Sequence, residues 1–152
     1  MTHTESLLRY VTRQREALVG LEGALRGERT TRGIGDWDAR ETLLHLLGSV
    51  EAARGNVADA GVTWRAVQAG GEYIDRPEFE TAADACAALL CELDALSNDV
   101  RDLDDQMLAR PIAVRDGDFG QLADVPVGLA VRHLLTEHFD EHVAQLRELL
   151  AL

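Results

Sequence analysis

Two histidines one helical turn apart, His138 and His142, stand in the segment RHLLTEHFDEHVAQLREL, residues 132–149. At about 100° per residue of an α-helix, both lie on one face with an apolar stripe. The other residues within about 40° of His138 are Val127, Val131, Leu134, Gln145 and Leu149. A buried imidazole nitrogen without a partner costs about 1–3 kcal/mol. The pattern therefore indicates either a metal ion bound by both rings or two core histidines hydrogen-bonded to polar neighbours.

A third histidine, His45, lies in the apolar run LLHLL of the segment that begins GDWDARE. Asp38, Glu41, Ser49 and Ala52 fall within about 40° of it on a helix, a mixture typical of the lining of a site. The spacing of Asp38 and Glu41 is also that of a capping box, with Asp38 as N-cap and Glu41 at the third helical position. Glu41 therefore has two interpretations: a helix cap, or a proton acceptor one turn before His45.

Gln145 follows His142 by one turn and faces the same side. It is expected either to hydrogen-bond a ligand or to make a polar contact between helices. The sequence thus gives Glu41 and Gln145 as candidate catalytic side chains. The candidate metal ligands are His45, His138 and His142.

The remaining histidines and the cysteines are expected to play no part in the chemistry. His133 lies about 140° from the direction of His138, and His3 is near the N-terminus. Cys86 and Cys91 are five residues apart in an Ala- and Leu-rich helical run, so they suit neither a disulfide nor a zinc pair. We expect them to be buried structural thiols. The chain has no lysine, which excludes a Schiff-base mechanism.

The bulk composition is that of one globular domain covering residues 1–152. Apolar residues make up 46% and charged residues 28% of the chain. The net charge of -12 argues against a nucleic-acid partner, whose phosphates would be repelled. No run of 18 apolar residues predicts a membrane span, and the first residues lack the basic start and apolar core of a signal peptide. We therefore expect a cytoplasmic protein without a membrane partner.

Apolar periodicity predicts an all-α fold, a four-helix bundle. The predicted helices run from about Thr4 to Leu25, from after Trp37 toward Gln68, from about Ala82 to Leu108, and from Pro126 nearly to the end. Between the last two, RPIAVRDGDFGQLADVPVG is expected to form a long irregular connection, extended in part. Metal sites in bundles are built from side chains on facing helices, which is how His45 could join His138 and His142.

Two motifs carry a resemblance to a known superfamily. Trp37-Asp-Ala-Arg-Glu-Thr-Leu-Leu-His45-Leu resembles the Trp-(Ser/Thr)-x-x-(acid)-x-x-x-His-Leu motif of the DinB-like metalloenzymes. His138-Phe-Asp-Glu-His142-Val-Ala-Gln145-Leu resembles their second motif, His-x-x-x-His-x-x-Gln-(Ile/Leu). This superfamily includes YfiT-like proteins, bacillithiol transferases and the metal-binding domain of mycothiol-dependent maleylpyruvate isomerase. The likeness covers essentially the whole chain, with Asp38 in place of the usual Ser or Thr.

The resemblance implies a four-helix bundle with long crossover connections. It implies a divalent metal, commonly zinc or nickel, bound by His45, His138 and His142. It further implies a homodimer and, for those members with a known activity, the transfer of or to a low-molecular-weight thiol such as mycothiol or bacillithiol.

Three classes of function stay open at this point. Three neutral imidazoles leave zinc an open position, where it can lower the pKa of a bound water or hold a thiol as thiolate. The protein is then a thiol-dependent S-transferase of stress or detoxification metabolism, or a hydrolase, in either case acting on a small-molecule substrate. The third class is a non-catalytic bundle in which the metal is structural or absent.

Overall fold

The protein is mostly helical in the computed structural model, which describes residues 1–27, 37–58, 74–114 and 123–152. The helices are α1 (His3–Gly27), α2 (Ala39–Ala58), α3 (Ala82–Arg101), α4 (Asp105–Leu108), α5 (Val127–His133) and α6 (Phe139–Leu149). A π-helical turn, Leu134–His138, joins α5 to α6 without a break, and we call 127–149 as a whole the C-terminal helix. The all-α class predicted from the sequence is confirmed. None of the helices in the described ranges is both long and apolar enough to cross a membrane.

A single apolar core lies among α1, α2, α3 and the C-terminal helix. The main neighbours of α3 are α1 and α2, and both of these also contact the C-terminal helix. The buried apolar residues of α1 are Leu7, Val11, Leu18, Leu21 and Leu25, and Leu8 is partly buried against the same core. Ion pairs from Arg54 to Glu92 and Asp99 join α2 to α3 at the surface.

The predicted helix from Ala82 to Leu108 is two helices in the structure. The hydroxyl of Thr81 caps the start of α3, accepting a hydrogen bond from the Asp84 backbone N–H. Helix α3 ends at Arg101, and Asp104 then caps α4 by accepting from the Met107 N–H at 2.8 Å. Asp104 is thus a second N-cap inside one apolar periodic segment. Its carboxylate accepts from a backbone N–H that would pair with a carbonyl in a continuous helix, so a new helix starts here.

The predicted irregular connection before the C-terminal helix contains a β-hairpin. Strands β1 (Pro111–Val114) and β2 (Ala123–Pro126) pair antiparallel, with Pro111 opposite Pro126. The expectation of extended structure in this stretch is confirmed. Pro126 ends the strand, so the helix begins at Val127, one residue later than predicted, and the Val127 N–H is donated to the Arg110 carbonyl at 2.9 Å. The hairpin therefore fixes where the C-terminal helix starts.

Helix α2 begins as predicted after Trp37 and passes through Gly55 without interruption to Ala58. The predicted extension toward Gln68 lies outside the described residues. The prediction that both cysteines are buried is wrong for Cys91, which is exposed, whereas Cys86 is buried. Both thiols are free. Burial raises the pKa of the Cys86 thiol to about 11, so Cys86 is not a nucleophile at neutral pH.

Candidate metal centre

A reciprocal capping box at the start of α2 positions His45. The Asp38 carboxylate accepts a hydrogen bond from the Glu41 N–H at 2.8 Å, and the Glu41 carboxylate accepts one from the Asp38 N–H at 3.0 Å. This is the arrangement that the Asp-x-x-Glu spacing predicts. Glu41 therefore has a capping role, while a catalytic role for it stays a prediction. His45 follows one turn later and is 4% exposed.

The π turn changes which face of the C-terminal helix is buried. The buried residues are Val127, Val131, Leu134, Leu135, Phe139, His142, Val143 and Leu146. His138 is only half-buried and Gln145 is exposed, although constant α-helical rotation placed both on the core stripe. A π turn accommodates one additional residue, so the part of the helix after it is rotated by about 100° from that extrapolation. His138 consequently borders the core, whereas His142 is buried.

A signal for this turn is present in the sequence. Apolar residues recur every four positions at Val127, Val131, Leu135, Phe139 and Val143. A repeat of four is longer than the 3.6 residues of an α-helical turn, so a regular α-helix could not keep all five on one face. A constant rotation of 100° per residue ignores this drift of the apolar positions around the helix, and one π turn brings them back to the same face.

The three histidines predicted as ligands come together between α2 and the C-terminal helix. Their ring centroids are 5.0 Å apart for His45 and His138, 4.8 Å for His45 and His142, and 4.7 Å for His138 and His142. One nitrogen from each ring lies within 4.8 Å of the other two, so the group could hold a metal ion. Neither His3 nor His133 belongs to it: each lies beside a carboxylate instead, His3 Nδ1 at 3.5 Å from Asp105 and His133 Nδ1 at 3.0 Å from Glu137.

The closest approach in this group suits two ligands of one ion. The Nε2 atoms of His45 and His138 are 3.1 Å apart. Two nitrogens each about 2.05 Å from a tetrahedral zinc are about 3.3 Å from one another. In the absence of a metal, the same distance is a hydrogen bond for which one ring must carry the proton. The geometry is thus compatible with both interpretations of the histidines that the sequence left open.

Gln145 sets which ring nitrogen of the neutral His142 carries the hydrogen. Its Oε1 is 2.7 Å from His142 Nδ1, and because an amide oxygen can only accept, the hydrogen lies on Nδ1. The lone pair of His142 is then on Nε2, the nitrogen left for a metal ion. Partners of this kind orient metal-binding histidines in many proteins. The structure shows Gln145 in a polar contact within its own helix, made to a candidate ligand, and a role toward a bound ligand stays a prediction.

His45 is the least satisfied of the three rings. Its Nδ1 is a buried side-chain nitrogen for which the described residues offer no hydrogen-bond partner. The Trp37 ring packs over it at a centroid distance of 4.6 Å and also lies 6.1 Å from His142. Burial, with a smaller contribution from repulsion by the other two rings, lowers the pKa of His45 to about 3. His45 is therefore neutral at physiological pH, which is the form that binds metals.

Ser49 is a further polar group at the centre. Its hydroxyl donates to the His45 carbonyl at 2.9 Å and lies 3.3 Å from His138 Nε2. Because its proton is directed at the carbonyl, the Ser49 oxygen presents a lone pair to His138. Ser49 lies one turn after His45 on the same helical face, as their spacing in the sequence predicts.

His138 is the most exposed of the three candidate ligands. That half-buried ring borders an open cleft of about 910 Å³, whose described lining residues also include Arg132, Glu137 and Glu141. Arg132 makes no ion pair with the described residues.

A scan of protein-family models, a search of curated proteins and a search of solved structures each found no match to this chain. The resemblance to DinB-like proteins accordingly rests on the two sequence motifs.

Proposed function

We propose that the protein is a divalent-metal-dependent enzyme of the DinB-like type, most simply a cytoplasmic thiol-dependent S-transferase acting on a small-molecule electrophile. The observation that carries this proposal is the convergence of three imidazoles from two helices within 4.8 Å, one of which, His138, borders an open cleft. The buried position of His45 supports it, because burial keeps this ring neutral at physiological pH and the neutral imidazole is the form that binds metals.

The donor set fits zinc or nickel. Neutral imidazole nitrogens are common ligands of both ions, and three protein ligands leave a position for substrate. Bound there, such an ion would supply a Lewis acid that activates a thiol or a water at neutral pH. The thiol in this proposal is a low-molecular-weight cofactor, mycothiol or bacillithiol. Neither the buried Cys86 nor the exposed Cys91 has a role in it.

The described side chains would prepare the site in distinct ways. Gln145 holds His142 in one tautomer, and Trp37 covers His45. The Ser49 hydroxyl offers a hydrogen-bonding oxygen beside His138. Arg132, in the cleft, offers a positive charge to a carboxylate of the thiol or of the electrophile, since guanidinium groups bind carboxylates in two-point geometry.

The fold in this proposal is a four-helix bundle with long crossover connections. Helices α1, α2, α3 and the C-terminal helix share one core, which supports it. A homodimer belongs to the same proposal, on the family resemblance alone. Light scattering should give a mass of two chains, and a mass of one chain would refute the dimer.

The test begins with elemental analysis of the purified protein, which should contain close to one zinc or nickel per chain. Metal-loaded protein is then mixed with mycothiol or bacillithiol and a chloro-substituted electrophile. A sulfur–carbon bond should form as chloride leaves and the thiol proton passes to solvent. Metal-stripped protein is the control, and equal rates with and without metal would overturn the proposal.

A hydrolase is the second candidate, favoured by the cleft that opens His138 to water. Metal-dependent cleavage of an ester or amide substrate without added thiol would replace the first proposal with this one. A protein that holds metal tightly yet shows neither activity would be the structural bundle.

A further inference from the structure

Gln14 is a polar residue in an apolar position. It lies on the face of α1 that carries the buried Leu7, Val11, Leu18 and Leu21, and it is 1% exposed. A carboxamide in such a position is costly unless its hydrogen-bonding groups have partners. Its hydrogen-bond partners therefore indicate why an amide is there.

The two N–H groups of the Gln14 amide donate to one acceptor in the π turn and to one just after it. Nε2 donates to the Leu135 carbonyl at 2.8 Å and to the Asp140 carboxylate at 2.7 Å. In an uninterrupted α-helix the Leu135 carbonyl would accept from Phe139 N–H. Here the Phe139 N–H is donated to Leu134 and Thr136 instead. Gln14 thus supplies a donor to a carbonyl whose usual partner the π turn has moved.

The hydrogen bond from Gln14 to Asp140 also ties α1 to the segment between the candidate ligands His138 and His142. Asp140 stands midway between His138 and His142, and both of its carboxylate oxygens also accept from Arg13. The Arg13–Asp140 pair is half-exposed on both sides, so solvent weakens it. The buried bonds of Gln14 are therefore the stronger link from α1 to this part of the helix.

We propose that Gln14 is a positioning residue of the three-histidine centre: its amide stabilises the π turn, which sets the directions of His138 and His142 relative to His45. This inference rests on the proposed metal function. If the turn relaxed to α-helix, the part of the helix after it would rotate by about 100°, and His142 would leave its place beside His45. Gln14 acts at a distance and touches none of the three rings in the described contacts.

The test compares Gln14→Met, which keeps the length of the side chain and removes the amide, with Leu21→Ala two turns further along α1. Leu21→Ala removes core contacts far from the π turn, so it should lower the melting temperature and leave the cobalt(II) dissociation constant within about twofold. Gln14→Met should raise that constant at least about tenfold, in the range seen when groups supporting metal ligands are removed. It should also change the visible absorption spectrum of bound cobalt, which a purely structural role would not do.

A second measurement needs no metal. Amide hydrogen exchange of residues 134–140 in the metal-free chain should be faster in Gln14→Met than in wild type, while exchange near the end of α6 is unchanged. Wild-type cobalt affinity and spectrum in Gln14→Met would overturn the inference, as would weaker binding without faster exchange in 134–140. Gln14→Leu, which also lacks the amide donor and adds no charge, replaces Gln14→Met if that variant does not fold. If wild-type protein binds no metal, the proposed function fails, yet the exchange comparison still decides the role of Gln14 in the turn.

Discussion

The Nε2 atoms of His45 and His138 lie 3.1 Å apart although the two residues are 93 positions apart in the chain. Helix α2 brings one and the C-terminal helix the other, and His142 completes the group from one turn further on. Rings that meet across a core at this distance either share a proton or share an ion. Substitution, chelation and pH distinguish a shared proton from a shared ion.

Alanine at any of the three rings should abolish tight metal binding. With His45, His138 or His142 replaced, two imidazoles remain, and we expect the loss in affinity to exceed the roughly 10–100-fold typical when a hydrogen-bond partner of a ligand is removed. His133→Ala is the matched control on the same helix and should retain metal. Metal content by elemental analysis is the first readout. The second is melting with and without chelator, since an ion at a hundredfold excess over its Kd adds about 2.7 kcal/mol. Full metal in all four variants would place the site elsewhere.

Removing the partner of His142 should weaken metal binding without unfolding the protein. Gln145→Ala leaves the His142 ring free to change tautomer, and we expect a loss in affinity of about 10–100-fold. Because Gln145 is exposed, stability should change by less than about 0.5 kcal/mol. Arg147→Ala, an exposed change on the same helix, is the control. Chelator competition measures the affinity, and equal values for the two variants would contradict the role given to Gln145.

The metal-free protein should lose stability in acid because of His45. The unfolded chain takes up a proton at this residue near pH 6.5, whereas the folded protein, where burial lowers the pKa of His45 to about 3, does not. Between these values the unfolded state binds more protons, so the free energy of unfolding falls as the pH falls. The slope from this residue is about 1.4 kcal/mol per pH unit.

Urea unfolding of the chelator-treated protein from pH 7 to pH 4 measures that slope. The His45→Leu variant should show a flatter curve than wild type. His3→Ala should keep the wild-type slope, because His3 is exposed in the folded protein. Parallel curves for wild type and His45→Leu would show that His45 is protonated in the folded state.

The capping box should contribute to stability and not to metal content. Asp38→Ala removes the acceptor for the Glu41 N–H, and we expect a loss of about 1 kcal/mol. Glu41→Gln keeps an oxygen for the Asp38 N–H and should cost less. Chemical denaturation gives both values. Both variants should bind metal in the same ratio as wild type, and a large loss of metal in Glu41→Gln would show that this carboxylate belongs to the centre.

Local features of the site were predictable from the sequence. The Asp38–Glu41 box is set within one helical turn, so its spacing alone was sufficient. The side-by-side placement of His138 and His142 also follows from their separation of four residues. The grouping of His45 with them needed more, namely the apolar setting of all three and a likeness to known motifs.

Burial along the C-terminal helix was decided by the tertiary structure. Its π turn depends on Gln14, which contacts Leu135 from 121 positions away in the chain. The exposure of Gln145 and the partial burial of His138 follow from that turn. The four-residue apolar repeat signals such an irregularity, but it does not say at which turn the additional residue is accommodated.

The sequence by itself determined the helical segments, the start of α2 and the identity of the three converging histidines, because caps, periodicity and residue type act over a few positions. Only the tertiary structure decided that α3 ends before α4, that Cys91 faces solvent, and that Gln145 contacts His142. It also decided the direction of each imidazole. Direction depends on packing between elements distant in the chain, and a rotation of one residue in a helix moves a side chain by about 100°.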